Sequence, residues 1–179
     1  MPLAAAGRAG PVPPEAEASL DRAAAPAVLD RAAALCARRG AQLTALRREV
    51  LRLVLEAEAP LGAYALLDRL KASRAGAAPP TVYRALDFLV EQGLIHKVER
   101  LNAFIGCVDA MDHPDDCGCG EAHDHPHQFL ICDRCGATAE ISDPGVALAL
   151  ARAARAAGFA PRKATVEMEG VCARCAAAG

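Results

Sequence analysis

Four of the eight cysteines in this 179-residue chain come as two Cys-x-x-Cys steps, Cys132-Asp-Arg-Cys135 and Cys172-Ala-Arg-Cys175, with 36 residues between them. Each step aims two thiolates at one point about 2.3 Å from each sulfur. Two steps complete a tetrahedral four-thiolate zinc site with no open position, which makes the site structural rather than catalytic. The competing reading is a pair of redox-active dithiols. A redox motif usually follows a strand and opens a helix, and it rarely comes twice. Cys36 differs from these four, because it lies on an apolar stripe and reads as a core residue.

A second set of metal-binding residue types lies outside the two steps: His96, Cys107, His125, His127 and Glu140. One thiolate, two imidazoles and a carboxylate make another tetrahedral site suited to Zn²⁺. Its ligands come from both halves of the chain, which is what a sensor requires: a bound ion then favours one relative orientation of the halves. Spacing alone leaves the choice between His125 and His127 open. The loop at 112–123, with Cys117 and Cys119, carries more ligands than a connector needs, but reads as a solvated acidic segment with incidental affinity.

The elements that must position these residues follow from apolar spacing. Residues 1–27 are rich in Ala, Pro and Gly and read as a disordered or loosely ordered tail. Val28, Ala32 and Leu35 with Cys36 form a first helical stripe. Thr44 is a plausible N-cap for a second helix striped by Leu46, Val50, Leu53, Val54 and Ala57. Ala63, Leu66, Leu67 and Leu70 mark a third. Pro80 suits the first turn of a fourth, with Val82, Ala85, Leu86, Leu89 and Val90 on one face and Gly93 as its stop. Two strand-like runs follow, Leu94–Val98 and Ala103–Val108, with Arg100 and Asn102 at the turn between them. Helices followed by a hairpin describe a winged helix-turn-helix over residues 28–108, with the fourth helix as recognition helix.

Residues 109–127 form an irregular Cys/His/Asp-rich loop. Residues 128–179 read as a small α/β unit. Gln128–Cys132 and Thr138–Ile141 are strands, Asp143 and Pro144 open a helix striped by Val146, Leu150, Ala153 and Ala157, and Ala164–Met168 is a last strand. The fold class is therefore α+β.

The formal net charge is −2, yet residues 28–100 carry 12 basic and 8 acidic groups while residues 101–179 carry 6 and 11. That split suits a first half that meets an anion and a second half that binds cations. Arg84 falls off the apolar stripe of the fourth helix, where its guanidinium can match the O6 and N7 of guanine. Thr81, Tyr83 and Tyr64 are further DNA-facing candidates. Arg47, Arg48, Arg52 and Lys97 can supply charge to the phosphate backbone. The absence of a secretory signal and of any apolar run long enough to span a membrane suggests a cytoplasmic address, which keeps thiols reduced.

Several of these pieces together resemble the ferric-uptake-regulator (Fur) family of metalloregulators. They are Leu43-Thr44 with Arg47, Thr81-Val-Tyr-Arg-Ala-Leu86, His96, Cys132 through Gly136, Gly158-Phe159, and Gly170-Val-Cys-Ala-Arg-Cys175. The likeness covers roughly residues 30–176. Within the family, the runs Pro79–Leu89 and Glu91–Glu99, together with Cys107, look most like its zinc-uptake-regulator branch. A thiolate there favours Zn²⁺ over cations that prefer hard oxygen ligands.

The resemblance implies a cytoplasmic, homodimeric, zinc-dependent repressor of zinc uptake genes. It would have no enzymatic activity and would bind palindromic double-stranded DNA. The resemblance places the structural zinc on Cys132, Cys135, Cys172 and Cys175, and the sensing zinc on His96, Cys107, His125 and Glu140. It also supports Tyr64 as a DNA contact. The Cys/His insertion at 112–123 departs from the usual shorter loop and leaves the count of zinc ions per protomer open. The alternatives are an iron- or peroxide-responsive member of the same family, and a zinc-ribbon module that uses metal only to fold. A zinc hydrolase is disfavoured, because no open coordination position or substrate pocket is indicated.

Overall fold

A computed structural model describes residues 25–107, 127–162 and 164–178. The chain runs α1 (Ala25–Arg38), α2 (Ala45–Leu55), β1 (Leu61–Gly62), α3 (Ala63–Ser73), α4 (Pro79–Glu91), β2 (Ile95–Val98) and β3 (Ala103–Gly106). It continues with β4 (His127–Cys132), β5 (Thr138–Ile141), α5 (Pro144–Ala156), β6 (Thr165–Gly170) and α6 (Ala173–Ala177). The mixed helix-and-sheet class is as expected from the sequence.

Local chemistry sets the boundaries. Thr44 accepts from the Arg47 amide as the N-cap of α2. Asp143 accepts from the Gly145 and Val146 amides at the start of α5, just before Pro144. Prolines occupy the first turn of α4, where a missing N–H costs nothing. Gly93, at φ +67°, ends α4. The Leu94 amide reaches back to the Leu89 carbonyl and Gly93 to that of Val90. This is a Schellman close that drops the chain straight into β2.

Helices α1 to α4 bury one common core that includes Val28, Cys36, Val50, Leu51, Leu66, Leu70, Leu86 and Leu89. β2 and β3 pair antiparallel as the wing, and β1 adds a short third strand in the order β1-β3-β2. The turn between β2 and β3 is closed by Asn102 at φ 46°. The second sheet has the order β5-β4-β6, with β5 antiparallel and β6 parallel to β4. A small apolar contact joins the two sheets: Val98 and Ile105 of the wing pack against Phe129 and Ile131 of β4.

Three points differ from the sequence reading. Residues 25–27 belong to α1 rather than to the tail. The stripe read for α5 is an apolar face, yet none of that helix is buried. A 3.6-residue period reports an amphipathic helix without saying what covers it. β1 and α6 were not anticipated; two residues and five residues are too short to establish a period.

Candidate metal centres and nucleic-acid interface

The parallel pairing of β4 with β6 aligns Cys132 with Gly170 and so brings the two Cys-x-x-Cys steps to one end of the sheet. The first step is a knuckle in which the Cys132 amide donates to the Ala137 carbonyl and the Gly136 amide to that of Cys132. Gly136 sits at φ +71°, a conformation that strains any residue with a Cβ. The second step opens α6, with the Cys172 side chain as N-cap. The four sulfur atoms lie within 4.8 Å of one another. A tetrahedron with bonds of about 2.3 Å has sulfur–sulfur edges of about 3.8 Å, and Cys135 Sγ stands 3.8 Å from Cys172 Sγ. The donor set and its spacing therefore fit a four-coordinate zinc ion.

The thiols are unequal. Cys132 is pulled down to about 6, chiefly because the Cys172 amide donates to its sulfur. Cys135 is also lowered, first by the Ala137 amide. Cys175 is pushed up to about 12, first by its hydrogen bond with Cys135 and then by that with Cys172. One negative charge forms readily on the cluster and the last forms with difficulty. A cation that replaces those protons therefore binds less well as pH falls.

The second cluster forms across the seam between the halves. His96 on β2, Cys107 just after β3 and Glu140 on β5 place their ligand atoms within 4.8 Å of one another. His96 Nε2 stands 3.3 Å from Glu140 Oε1, and both side chains are under a tenth exposed. The His96 ring tilts against Phe129 with centroids 5.9 Å apart. The Cys107 amide donates to the Leu94 carbonyl at 3.1 Å, which fixes the thiol beside β2. His125 lies outside the described residues, as does the loop at 112–123. Three of the four expected ligands thus converge, and a set of thiolate, imidazole and carboxylate is one that zinc accepts.

Arg84 projects from α4 into solvent, and Tyr83 beside it is 42% exposed. Tyr64, at the start of α3, is 70% exposed. Thr81 is half-buried in the first turn of α4.

The supporting cations expected for phosphate contact are largely committed elsewhere. The Arg47 guanidinium lies 3.5 Å over the Phe88 ring and donates to the Gln42 carbonyl. Arg48 pairs with Asp30 and donates to the Leu29 carbonyl. Arg52 is held between Glu49 and Glu56, and Lys97 pairs with Glu99. Spacing shows a charge but not the partner that occupies it. Arg39, which sequence reasoning missed, donates to the Gln92 carbonyl at the end of α4.

The model of the ferric uptake regulator family matches residues 38–169. The zinc uptake regulation protein of Escherichia coli (strain K12) is 43% identical over 148 residues, which is 83% of this chain and 81% of that protein. Among solved structures, a zinc uptake regulator complexed with zinc and DNA superposes with a TM-score of 0.76 at 41% identity, covering 86% of this chain and 96% of that one. The holo form of XcZur superposes with a TM-score of 0.70 at 43% identity, covering 84% and 98%.

Proposed function

The chain belongs to the ferric uptake regulator family, and from that premise we propose that it is a zinc-responsive, DNA-binding transcriptional repressor of zinc uptake genes. The observation that carries this reading is the cluster of His96, Cys107 and Glu140, which joins the wing to the second sheet through a sulfur ligand. Likeness to a regulator solved with zinc and DNA supports the same reading. Iron or peroxide sensing is the second reading, and the Cys107 thiolate weighs against it, because soft sulfur favours zinc.

Two sites divide the work. Cys132, Cys135, Cys172 and Cys175 hold a structural ion, while His96, Cys107, Glu140 and His125 form the regulatory set. Zinc, when bound, supplies only charge and fixed geometry. The residues do the rest. His96 and Cys107 are carried by the hairpin that follows α4, so the geometry of the regulatory set fixes the recognition helix relative to the second sheet.

No catalytic role is assigned, since four thiolates leave no open coordination position. The reduced thiols suit a cytoplasmic setting, and among the described residues no helix is long and apolar enough to cross a membrane.

The protein acts as a homodimer. Leu148 and Leu150 on α5, with Phe159, Met168 and Val171 nearby in sequence, are all exposed in the single chain, and a second copy would cover them. A two-fold dimer presents two α4 helices to a palindrome whose half-sites are spaced about one helical turn, roughly 34 Å, or a multiple of it. Arg84, Tyr83, Thr81 and Tyr64 are the proposed DNA contacts.

Binding of palindromic DNA across buffered free zinc, with ferrous and manganous ions as controls, tests the reading: tightening by zinc alone is expected, and tightening by iron alone would replace it with the second reading. Arg84→Ala is expected to weaken operator binding by roughly 5- to 150-fold, the worth of one bidentate base contact. Its zinc content should match the parent's by elemental analysis. Equal operator affinity at physiological salt would remove Arg84 from the interface.

A further inference from the structure

The wing also touches the second sheet through residues that belong to neither metal cluster. One carboxylate there takes two successive peptide N–H groups: Glu167 Oε1 accepts from the Glu99 amide at 2.6 Å and Oε2 from the Arg100 amide at 2.9 Å. The Arg100 side chain turns back to pair with Glu169 on the same strand.

Sheet register explains the placement. Phe129 on central strand β4 pairs with Glu140 on one side and with Glu167 on the other. Residues paired across a sheet share a face. Glu140, Phe129 and Glu167 therefore form one row toward the wing. Glu140 meets His96, Phe129 packs on the His96 ring, and Glu167 holds the backbone just past β2.

We propose that Glu167 is a positioning residue, a metal-independent latch that holds the wing turn on the second sheet and so lowers the zinc concentration needed to close the regulatory cluster. Hydrogen bonds to a carboxylate are roughly twice as strong as neutral ones, whereas the exposed Arg100–Glu169 pair adds little. The latch stabilises the closed arrangement whether or not the cluster is filled. It thereby raises the closed fraction of the empty protein, and apparent metal affinity scales with that fraction. The effect on DNA rests on the regulator reading; the latch itself does not.

The test uses the full chain with its four-cysteine site loaded. In the parent with the regulatory cluster empty, the Glu99 and Arg100 amides are expected to exchange with deuterium well below the rate of an open turn. Exchange at the open-turn rate would overturn the latch without any variant being made. Glu167→Gln keeps the size of the side chain but turns one acceptor into a donor facing an N–H. It should speed exchange at those two amides roughly tenfold or more, the worth of one bond to a charged group, and leave the β2 amides unchanged.

The free zinc for half-maximal operator binding should rise by a similar factor, with affinity at saturating zinc within about twofold of the parent. Glu169→Gln, which loses only the exposed pair, should leave the zinc midpoint in place. An unchanged midpoint in Glu167→Gln sinks the proposal. If the amides respond to Glu167→Gln but zinc does not alter DNA binding by the parent, the regulator reading fails and the latch stands.

Discussion

Cys135→Ser is expected to leave the C-terminal half of the chain without a stable fold. Taken by itself the side chain is exposed, and a conservative exposed change normally moves stability by no more than about 0.5 kcal/mol. What surrounds it makes the difference. Among the described residues, the buried ones of this half are Gln128, Phe129, Ile131 and Cys132, and α5 adds none. Each large apolar side chain contributes roughly 1.5–3 kcal/mol, too little to order two strands, a helix and a third strand against chain entropy.

A four-thiolate zinc site contributes about 10–16 kcal/mol in short peptides, as much as the whole stability of many domains. Three thiolates and a hydroxyl lose most of that. The check is elemental zinc per protomer together with amide dispersion in a heteronuclear NMR spectrum. Dispersed C-terminal resonances in a protein lacking that zinc would show that packing alone holds the sheet.

Cys107→Ser should do the opposite: fold, keep the structural ion, and lose the zinc dependence of operator binding. The Cys107 amide donates to the Leu94 carbonyl, a backbone bond that the variant should keep, so the hairpin should be preserved. The hydroxyl stays protonated near neutrality and is a poor match for zinc. Coupling between two ligands on one protein is typically 1–3 kcal/mol, about 5- to 150-fold in affinity. The variant should show a flat zinc titration within about twofold of the zinc-free parent. A parent-like response would remove sulfur from the regulatory set, and an unfolded product would mean that the two clusters have exchanged roles.

Much of this arrangement is legible in the residues because its signals are local. Thr138–Ile141 and the Asp143-Pro144 start are read from the chain and found in place. The Cys-x-x-Cys steps are legible because a metal site demands them at short range, and three members of the regulatory set converge as expected. The parts that were not legible depend on distant partners. Glu167 meets a peptide 67 and 68 residues away, and no periodicity records that. The arginines of α2 look alike as charges, yet one stacks on Phe88 and the others pair with acids. The apolar stripe of α5 is legible from its period, yet no residue of that helix is buried in the single chain, and a period does not name what covers a face.

The two clusters differ in how they meet water, and the difference sets a clock. Cys135 in the structural set is exposed, while His96, Cys107 and Glu140 are walled in between the wing and the second sheet. An ion bound among those three side chains would lie under the seam between the sheets, so its departure is expected to require the halves to part. Switching off should then be paced by hinge opening rather than by ligand exchange, and a dip in free zinc shorter than that opening should pass unread.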